Sequence, residues 1–352
     1  MKVREAEVIP YALPFREPYV TAAGTLVRRE MVLLRLRSED GLVGLGEAVP
    51  LSLRGGTTLG AVVAELERLG EREELDEASL SDESAALSAP ARCAALTALL
   101  DLRGRRAAAE RGSAAEPSPP VRCNATLTAG DPAAVVAAAE RWAADGFSTF
   151  KLKLGTGDDA AQVRAVREAL GPRARIRVDV NGAWDVETAK RTLDELEPYE
   201  VELVEQPVAT LEEAMEVARS TSIPIAGDES IETRADAERA AAMEACRMTG
   251  VKLSKVGGPE AAIEIAEVLP TYMSSALDGP VGIAAAAQVA ATLGAANGGA
   301  GPDLAHGLAT QRLFAATVAS VEWELRGGLL YPPPGPGLGV EIDEAALDAH
   351  RL

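Results

Sequence analysis

The chain has 352 residues, of which 47% are hydrophobic and 25% charged, the balance of a soluble globular protein and more length than one core usually takes, so two domains or a large barrel with an added module are expected. Thirty-five Lys and Arg against 54 Asp and Glu leave a formal net charge of -19, which argues against nucleic acid and anionic membrane surfaces as partners. Two histidines and three scattered cysteines give a multi-histidine zinc site or a Ser-His-Asp mechanism almost no raw material, so carboxylates and lysines must carry any chemistry.

Three extended segments open the chain, Val3 to Leu13, Met31 to Arg37 and Leu42 to Ala48, the last two separated by the turn-like Ser38-Glu39-Asp40-Gly41. Helical spacing follows over Leu59 to Leu69 and Ala85 to Arg111, so sheet and then helices make residues 1–120 an α+β unit. The small, proline-rich stretch Gly112 to Pro120 reads as a crossing out of it. Met1 to Ala6 carries charge and no apolar core of signal-peptide length, and no run approaches the roughly 20 apolar residues that span a bilayer, so the expected location is cytoplasmic.

From Val121 onward short apolar strands alternate with helices. The strand candidates are Val121 to Leu127, Thr149 to Leu154, Arg175 to Asn181, Val201 to Gln206, Ile223 to Asp228, Gly250 to Ser254, Thr271 to Ala276 and Asp303 to His306. Asp131-Pro132 opens one of the intervening helices and Gly146 closes it, while Thr210 and Glu213 form a capping box on another. Strands spaced by about 25 residues with helices between them have the rhythm of a (β/α)8-type barrel, assigned to residues 121–320. Residues 321–352 pass through the Pro- and Gly-rich stretch Tyr331 to Gly339 and read as a tail that packs back on the first unit.

Catalytic side chains of a parallel barrel lie at the C-terminal ends of its strands, and five consecutive candidate strands end in ionisable residues. Phe150-Lys151-Leu152-Lys153 places two lysines on the face opposite its apolar residues; the next strands end in Asp179 and Asn181, in Glu205, in Asp228 and in Lys252. By strand parity Lys255 falls off the face of Lys252. Asp179, Glu205 and Asp228 form an all-oxygen set suited to Mg²⁺ rather than zinc, and lysines on either side would have their pKa lowered toward the range of a general base. A substrate carboxylate held there could lose its α-proton through an enediolate. The expected partner is a small-molecule carboxylate, and a homo-oligomer is compatible with the sequence.

The stretches Phe150-Lys151-Leu152-Lys153, Val178-Asp179-Val180-Asn181, Val204-Glu205-Gln206-Pro207, Ala226-Gly227-Asp228-Glu229-Ser230 and Val251-Lys252-Leu253-Ser254-Lys255 resemble the muconate-lactonising-enzyme subgroup of the enolase superfamily. Lys or His bases beside one or two Mg²⁺ ions are that superfamily's general chemistry. The resemblance implies an N-terminal α+β capping domain, a modified TIM barrel of (β/α)7β type and a C-terminal return to the cap. It also implies that Asp179, Glu205 and Asp228 ligate Mg²⁺, that Lys153 and Lys252 stand on opposite faces of the substrate, that Lys151 tunes Lys153, and that Asn181 is a neighbouring active-site residue.

Ser274-Ser275-Ala276-Leu277-Asp278 and Ala305-His306-Gly307-Leu308-Ala309-Thr310 resemble the corresponding stretches of o-succinylbenzoate synthases of menaquinone biosynthesis. That implies a syn dehydration in which Lys153 removes the α-proton and returns it to the departing hydroxide while Lys252 stabilises the enediolate. Ser274 and Ser275 would either donate to a substrate carboxylate or satisfy a strand end. His306 reads as structural. N-acylamino acid racemase, dipeptide epimerase and muconate cycloisomerase activities are the alternatives within the subgroup, the dipeptide reading weakened by Gly307-Leu308-Ala309 where such epimerases carry Asp-x-Asp.

Overall fold

The computed structural model describes residues 2–21, 24–52, 55–71, 75–113, 118–128, 130–155, 157–296 and 304–352. Strands β1 (Lys2–Thr21), β2 (Gly24–Ser38) and β3 (Val43–Ala48) pair antiparallel, and after helix α1 (Leu59–Gly70) a short β4 (Leu75–Asp76) joins the β1 edge. Helices α2 (Glu77–Ser84) and α3 (Ala89–Arg111) follow. Period-two alternation splits β2 between two cores: Val32, Leu34 and Leu36 pack with residues of α1 and α3, whereas Met31 and Leu33 join the core that continues into the barrel. Close helix–sheet approach depends on Gly46, where a Cβ would lie 1.9 Å from the Ala94 carbonyl oxygen of α3.

The chain then forms β5 (Val121–Arg122), β6 (Ala125–Leu127), α4 (Pro132–Ala144), β7 (Thr149–Lys153), α5 (Asp159–Leu170), β8 (Arg175–Asp179), α6 (Val186–Leu196), β9 (Val201–Glu205) and α7 (Leu211–Ala218). It continues through β10 (Ile225–Gly227), α8 (Arg234–Ala242), β11 (Met248–Val251), α9 (Leu253–Val256), α10 (Pro259–Ala266), β12 (Thr271–Met273) and α11 (Pro280–Ala296). Strands β6 to β12 make one parallel sheet in sequence order. It closes through residues 306 and 307: Cys123 bridges His306 and Ser274 bridges Gly307, with His306 N–H donating to Arg122 O at 2.8 Å and Gly307 N–H to Met273 O at 2.8 Å. The fold is the expected modified TIM barrel with an N-terminal α+β cap.

Several elements differ from their sequence-based bounds. Val121 to Leu127 is two strands: β5 pairs antiparallel with a strand of the tail, and only β6 enters the barrel. Arg175 to Asn181 and Val201 to Gln206 each end early, because Asn181 and Gln206 take positive φ of 53° and 40°. Beyond Val251 the chain leaves the sheet for the single turn of α9, so strand parity does not extend to Lys255. Asp303 lies outside the described residues.

The last segment carries β13 (Ala319–Val321), β14 (Glu324–Arg326), β15 (Leu329–Tyr331), β16 (Glu341–Ile342) and α12 (Glu344–His350). Strand β15 pairs with β5, Arg35 of β2 holds Glu344 through contacts of 2.8 and 2.9 Å, and the Leu352 N–H donates to Pro10 O. Asp101 of α3 is fully buried and accepts from Leu45 N–H (2.8 Å), Leu338 N–H (2.7 Å) and Arg105 Nε (2.9 Å), joining helix, sheet and tail at one carboxylate. Replacing it by Ala strands two buried N–H donors. Asp101→Ala should therefore cost about 2–4 kcal/mol in urea denaturation; an unchanged midpoint would contradict this account of the junction.

Candidate active site

Parity and register put the charged residues in one layer. On β7, Lys151 and Lys153 point into the barrel while Phe150 and Leu152 pack outward in the hydrophobic core. Lys153 is in register with Asp179, and Asp179 with Glu205, so three inward side chains from three neighbouring strands meet at the same height. Asp228 and Lys252 each stand one residue past the end of their strand, β10 and β11.

These groups are joined by ion pairs. Lys151 Nζ lies 2.6 Å from Glu205 Oε1 and 2.8 Å from Asp179 Oδ2; Lys153 Nζ lies 2.6 Å from the same Asp179 oxygen and 2.9 Å from Asn181 Oδ1. Lys252 pairs with Asp228 Oδ2. Lys255, expected away from this face, pairs with Asp228 Oδ1 at 3.0 Å and donates to the carbonyls of Asp228 and Ile231, because the turn of α9 swings it back toward β10. Asn181 in turn donates to Glu229 Oε1 at 3.2 Å.

Electrostatics follows from burial against pairing. Burial alone would raise Asp179 and Asp228, but for Asp179 the ammonium groups of Lys151 and Lys153, and for Asp228 those of Lys252 and Lys255, overcome it and hold both well below the ordinary carboxylate range. Glu205 goes the other way: burial and the nearby Asp179 outweigh Lys151, so it is raised. Lys151 resists burial because Asp179 and Glu205 flank it, and its pKa rises. Lys153 is lowered by burial, reinforced by repulsion from Lys151 and Lys252 against the pull of Asp179.

Three supporting residues did not emerge from the sequence. Tyr272 of β12 donates its hydroxyl to Glu205 Oε2, and its ring crosses the barrel interior where Gly250 leaves room: a Cβ there would lie 2.9 Å from the ring. Gln206 is buried and accepts from Asp228 N–H (2.9 Å), Ser230 N–H (3.2 Å) and Ser230 Oγ (2.9 Å), which fixes the turn that presents Asp228. Arg177 lies beneath the charged layer, with its guanidinium 5.2 Å from the centre of the Tyr272 ring and pairing with Glu202. Inward parity is shared by Arg177, Asp179 and Tyr272, and was the one available signal.

Ser275 is not free to bind a ligand as a donor: its hydroxyl gives its proton to Asp278 Oδ2 at 2.7 Å and accepts from the N–H groups of Leu277 and Asp278. That is the strand-end role. Ser274 follows β12 directly, on the parity of Tyr272. His306 accepts from Met273 N–H at Nδ1 (2.9 Å), within the barrel closure.

Among the described residues no group of three His, Cys, Asp or Glu side chains forms a ready metal cage. Lys151 stands between Asp179 and Glu205, and Lys252 and Lys255 hold Asp228. The donor set still fits a hard divalent cation: three carboxylates, each at most 1% exposed, on consecutive strands, two of them already converging on one positive charge within 2.8 Å.

Charged side chains at the C-terminal ends of parallel barrel strands define a barrel enzyme. The mandelate racemase / muconate lactonizing enzyme N-terminal domain family matches residues 3–110 and the enolase C-terminal domain-like family residues 134–346. The chain belongs to the enolase superfamily, in the muconate-lactonizing-enzyme subgroup. It is 44% identical over 220 residues to an o-succinylbenzoate synthase of Thermobifida fusca, a match spanning 60% of this chain and 66% of that protein, just under two thirds of its length. The solved dipeptide epimerase of Enterococcus faecalis, complexed with Mg and L-Leu-L-Tyr, superposes with a TM-score of 0.87 at 26% identity, covering 97% of this chain and all of that one. Muconate lactonizing enzyme of Pseudomonas fluorescens, complexed with muconolactone, gives 0.88 at 28% identity over 99% of both chains.

Lys151→Met leaves Asp179 and Glu205 facing each other with no ammonium between them. The expected loss is about 3–5 kcal/mol in urea denaturation at neutral pH. Glu205, already raised and now without its ammonium partner, would be raised further in the folded variant, so the deficit should shrink as pH falls and it takes up a proton. A deficit that grows on acidification would refute the pairing.

Proposed function

We propose that this chain is a Mg²⁺-dependent o-succinylbenzoate synthase, which takes the α-proton of a small-molecule carboxylate, passes through an enediolate and expels hydroxide from the same face, a step of menaquinone biosynthesis. The observation that carries this reading is the unequal access of the lysines. Side chains of Lys153 and Lys252 keep 15% and 17% of their surface open, whereas Lys151 keeps 6%. Two lysines can thus reach a substrate while the third stays with the carboxylates. Similarity to the Thermobifida fusca synthase supports the same choice of reaction.

In this reading Lys153, neutral, takes the α-proton at Nζ and, once protonated, returns it to the departing hydroxide; a C–H and a C–O bond break, a double bond forms and water leaves. Lys252 stays charged and stabilises the enediolate oxygens. Asn181, 2.9 Å from Lys153 Nζ, orients the base. Asp179, Glu205 and Asp228 would hold Mg²⁺, which when bound supplies Lewis-acid stabilisation for the charge developing on the substrate carboxylate. With Lys153 neutral, the ammonium groups of Lys151, Lys252 and Lys255 balance the three carboxylates, and a bound Mg²⁺ would leave the site net positive, which favours an anionic substrate. Ser274 is the candidate donor to the substrate's second carboxylate.

A racemase or epimerase of N-acylamino acids, or a muconate cycloisomerase, is the second reading, favoured by the placement of accessible lysines on well-separated strands. D₂O separates them: rapid α-exchange with inversion of an N-succinylamino acid marks a racemase, and fast dehydration beside slow exchange marks the synthase.

The direct test follows aromatisation of the cyclohexadiene precursor of o-succinylbenzoate by ultraviolet absorbance with Mg²⁺ present. Turnover is expected, and Lys153→Ala should lower kcat by about 10²–10⁴-fold. Because burial and the neighbouring cations lower Lys153, kcat/KM should rise with pH along a limb centred below the ordinary lysine value, and Lys153→Ala should abolish that limb. No turnover by the wild type would sink the synthase assignment.

A further inference from the structure

A second group of buried ionisable side chains lies where the cap sheet meets the barrel. Tyr11, Arg29, Glu47 and Asp278 are each at most 6% exposed. Glu47, from β3, accepts from Tyr11 Oη at Oε2 (2.8 Å) and from Gly279 N–H at Oε1 (2.6 Å), and the Gly282 N–H also bonds to it. A cap side chain thus closes the first turn of barrel helix α11. Gly279 and Gly282 make this approach practicable: a Cβ at 279 would lie 2.3 Å from Tyr11 Oη, and one at 282 would lie 2.8 Å from Glu47 Oε1.

The segment between β12 and that turn carries Ser274, Ser275 and Asp278. Its first end is fixed to the barrel, where Ser274 N–H donates to Val251 O at 2.7 Å and Ser275 N–H to Gly307 O at 3.0 Å. Its middle is held by the Ser275–Asp278 hydrogen bonds around Leu277, which adopts φ 68°. Its far end is held by Glu47. Arg29 adds a second link, donating to Pro50 O at 2.8 Å on the cap while attracting Asp278 on the barrel.

We propose that Glu47 is a positioning residue: by gripping Gly279 and Gly282 from the cap it sets the β12–α11 loop, and with it Ser274, for the substrate, and so governs substrate affinity rather than the proton transfer. This rests on the carboxylate-substrate reading above. The site is distinct from the charged ring, since none of its four residues is in the ion pairs of Lys151, Lys153, Lys252 or Lys255. Burial and the neighbouring Asp278 raise Glu47 to about 8, which makes Glu47→Gln, neutral and nearly the same shape, a mild change. Glu47→Asp keeps the carboxylate but withdraws it by one methylene from Gly279.

The test compares the two variants in steady-state dehydration kinetics and in amide deuterium exchange without substrate. Glu47→Gln should stay within about twofold of wild type in KM, whereas Glu47→Asp should raise KM about tenfold with kcat changed less than about threefold, and should speed exchange at Gly279 and Gly282. A general loss of folded protein would lower apparent kcat and leave KM alone. Should Glu47→Asp not fold, Tyr11→Phe, which removes only the donor to Oε2, carries the same comparison with a smaller rise in KM. A lower kcat at unchanged KM, or no change in KM and exchange, would overturn the proposal. If the wild type dehydrates nothing, the synthase reading fails while the exchange comparison still decides whether Glu47 fixes the loop.

Discussion

Three carboxylates buried at the mouth of a barrel repel one another, and the rest of the structure depends on how that repulsion is met. Lys151 meets it between Asp179 and Glu205, and Lys252 with Lys255 meets it at Asp228. Removing any one partner would leave a charge in a medium that cannot solvate it. The same arrangement explains the split among the lysines. A lysine fixed between two carboxylates is held protonated, while Lys153, repelled by two neighbouring cations and stripped of water, is pushed toward neutrality.

The surrounding scaffold serves this layer. Parallel register delivers Lys153, Asp179 and Glu205 to one height, and the turns after β8 and β9 use Asn181 and Gln206 to brace what the strands present. Tyr272 adds a donor to Glu205 from across the barrel, and Gly250 provides the space for its ring. The cap contributes from above through Glu47 and Arg29, and the tail ties cap to barrel by pairing β15 with β5 and by docking Leu338 on Asp101.

The barrel rhythm and the ionisable strand ends were legible because strand parity is a local property: alternate residues face alternate sides whatever lies elsewhere. The same rule misplaced Lys255, since it applies only while the chain stays extended and α9 begins at Leu253. Val121 to Leu127 looked like one strand because its apolar residues are continuous; what divides it is a partner some 200 residues later, which no local pattern reveals. Ser275 could be read as a ligand donor until its hydroxyl was found turned to Asp278, three residues on. Glu47 gave no sign at all. Its role depends on two glycines 232 and 235 residues away along the chain.

Under the proposed function, the ammonium-bound carboxylates Asp179, Glu205 and Asp228 form one cation site, with the lysines placed around it. Crystals of the protein grown with Mn²⁺ in place of Mg²⁺ would locate the ion by its anomalous scattering. A single peak enclosed by Asp179, Glu205 and Asp228, lost in Asp228→Asn, is the expected result. A peak elsewhere, or none at saturating Mn²⁺ with the lysine pairs intact, would contradict it.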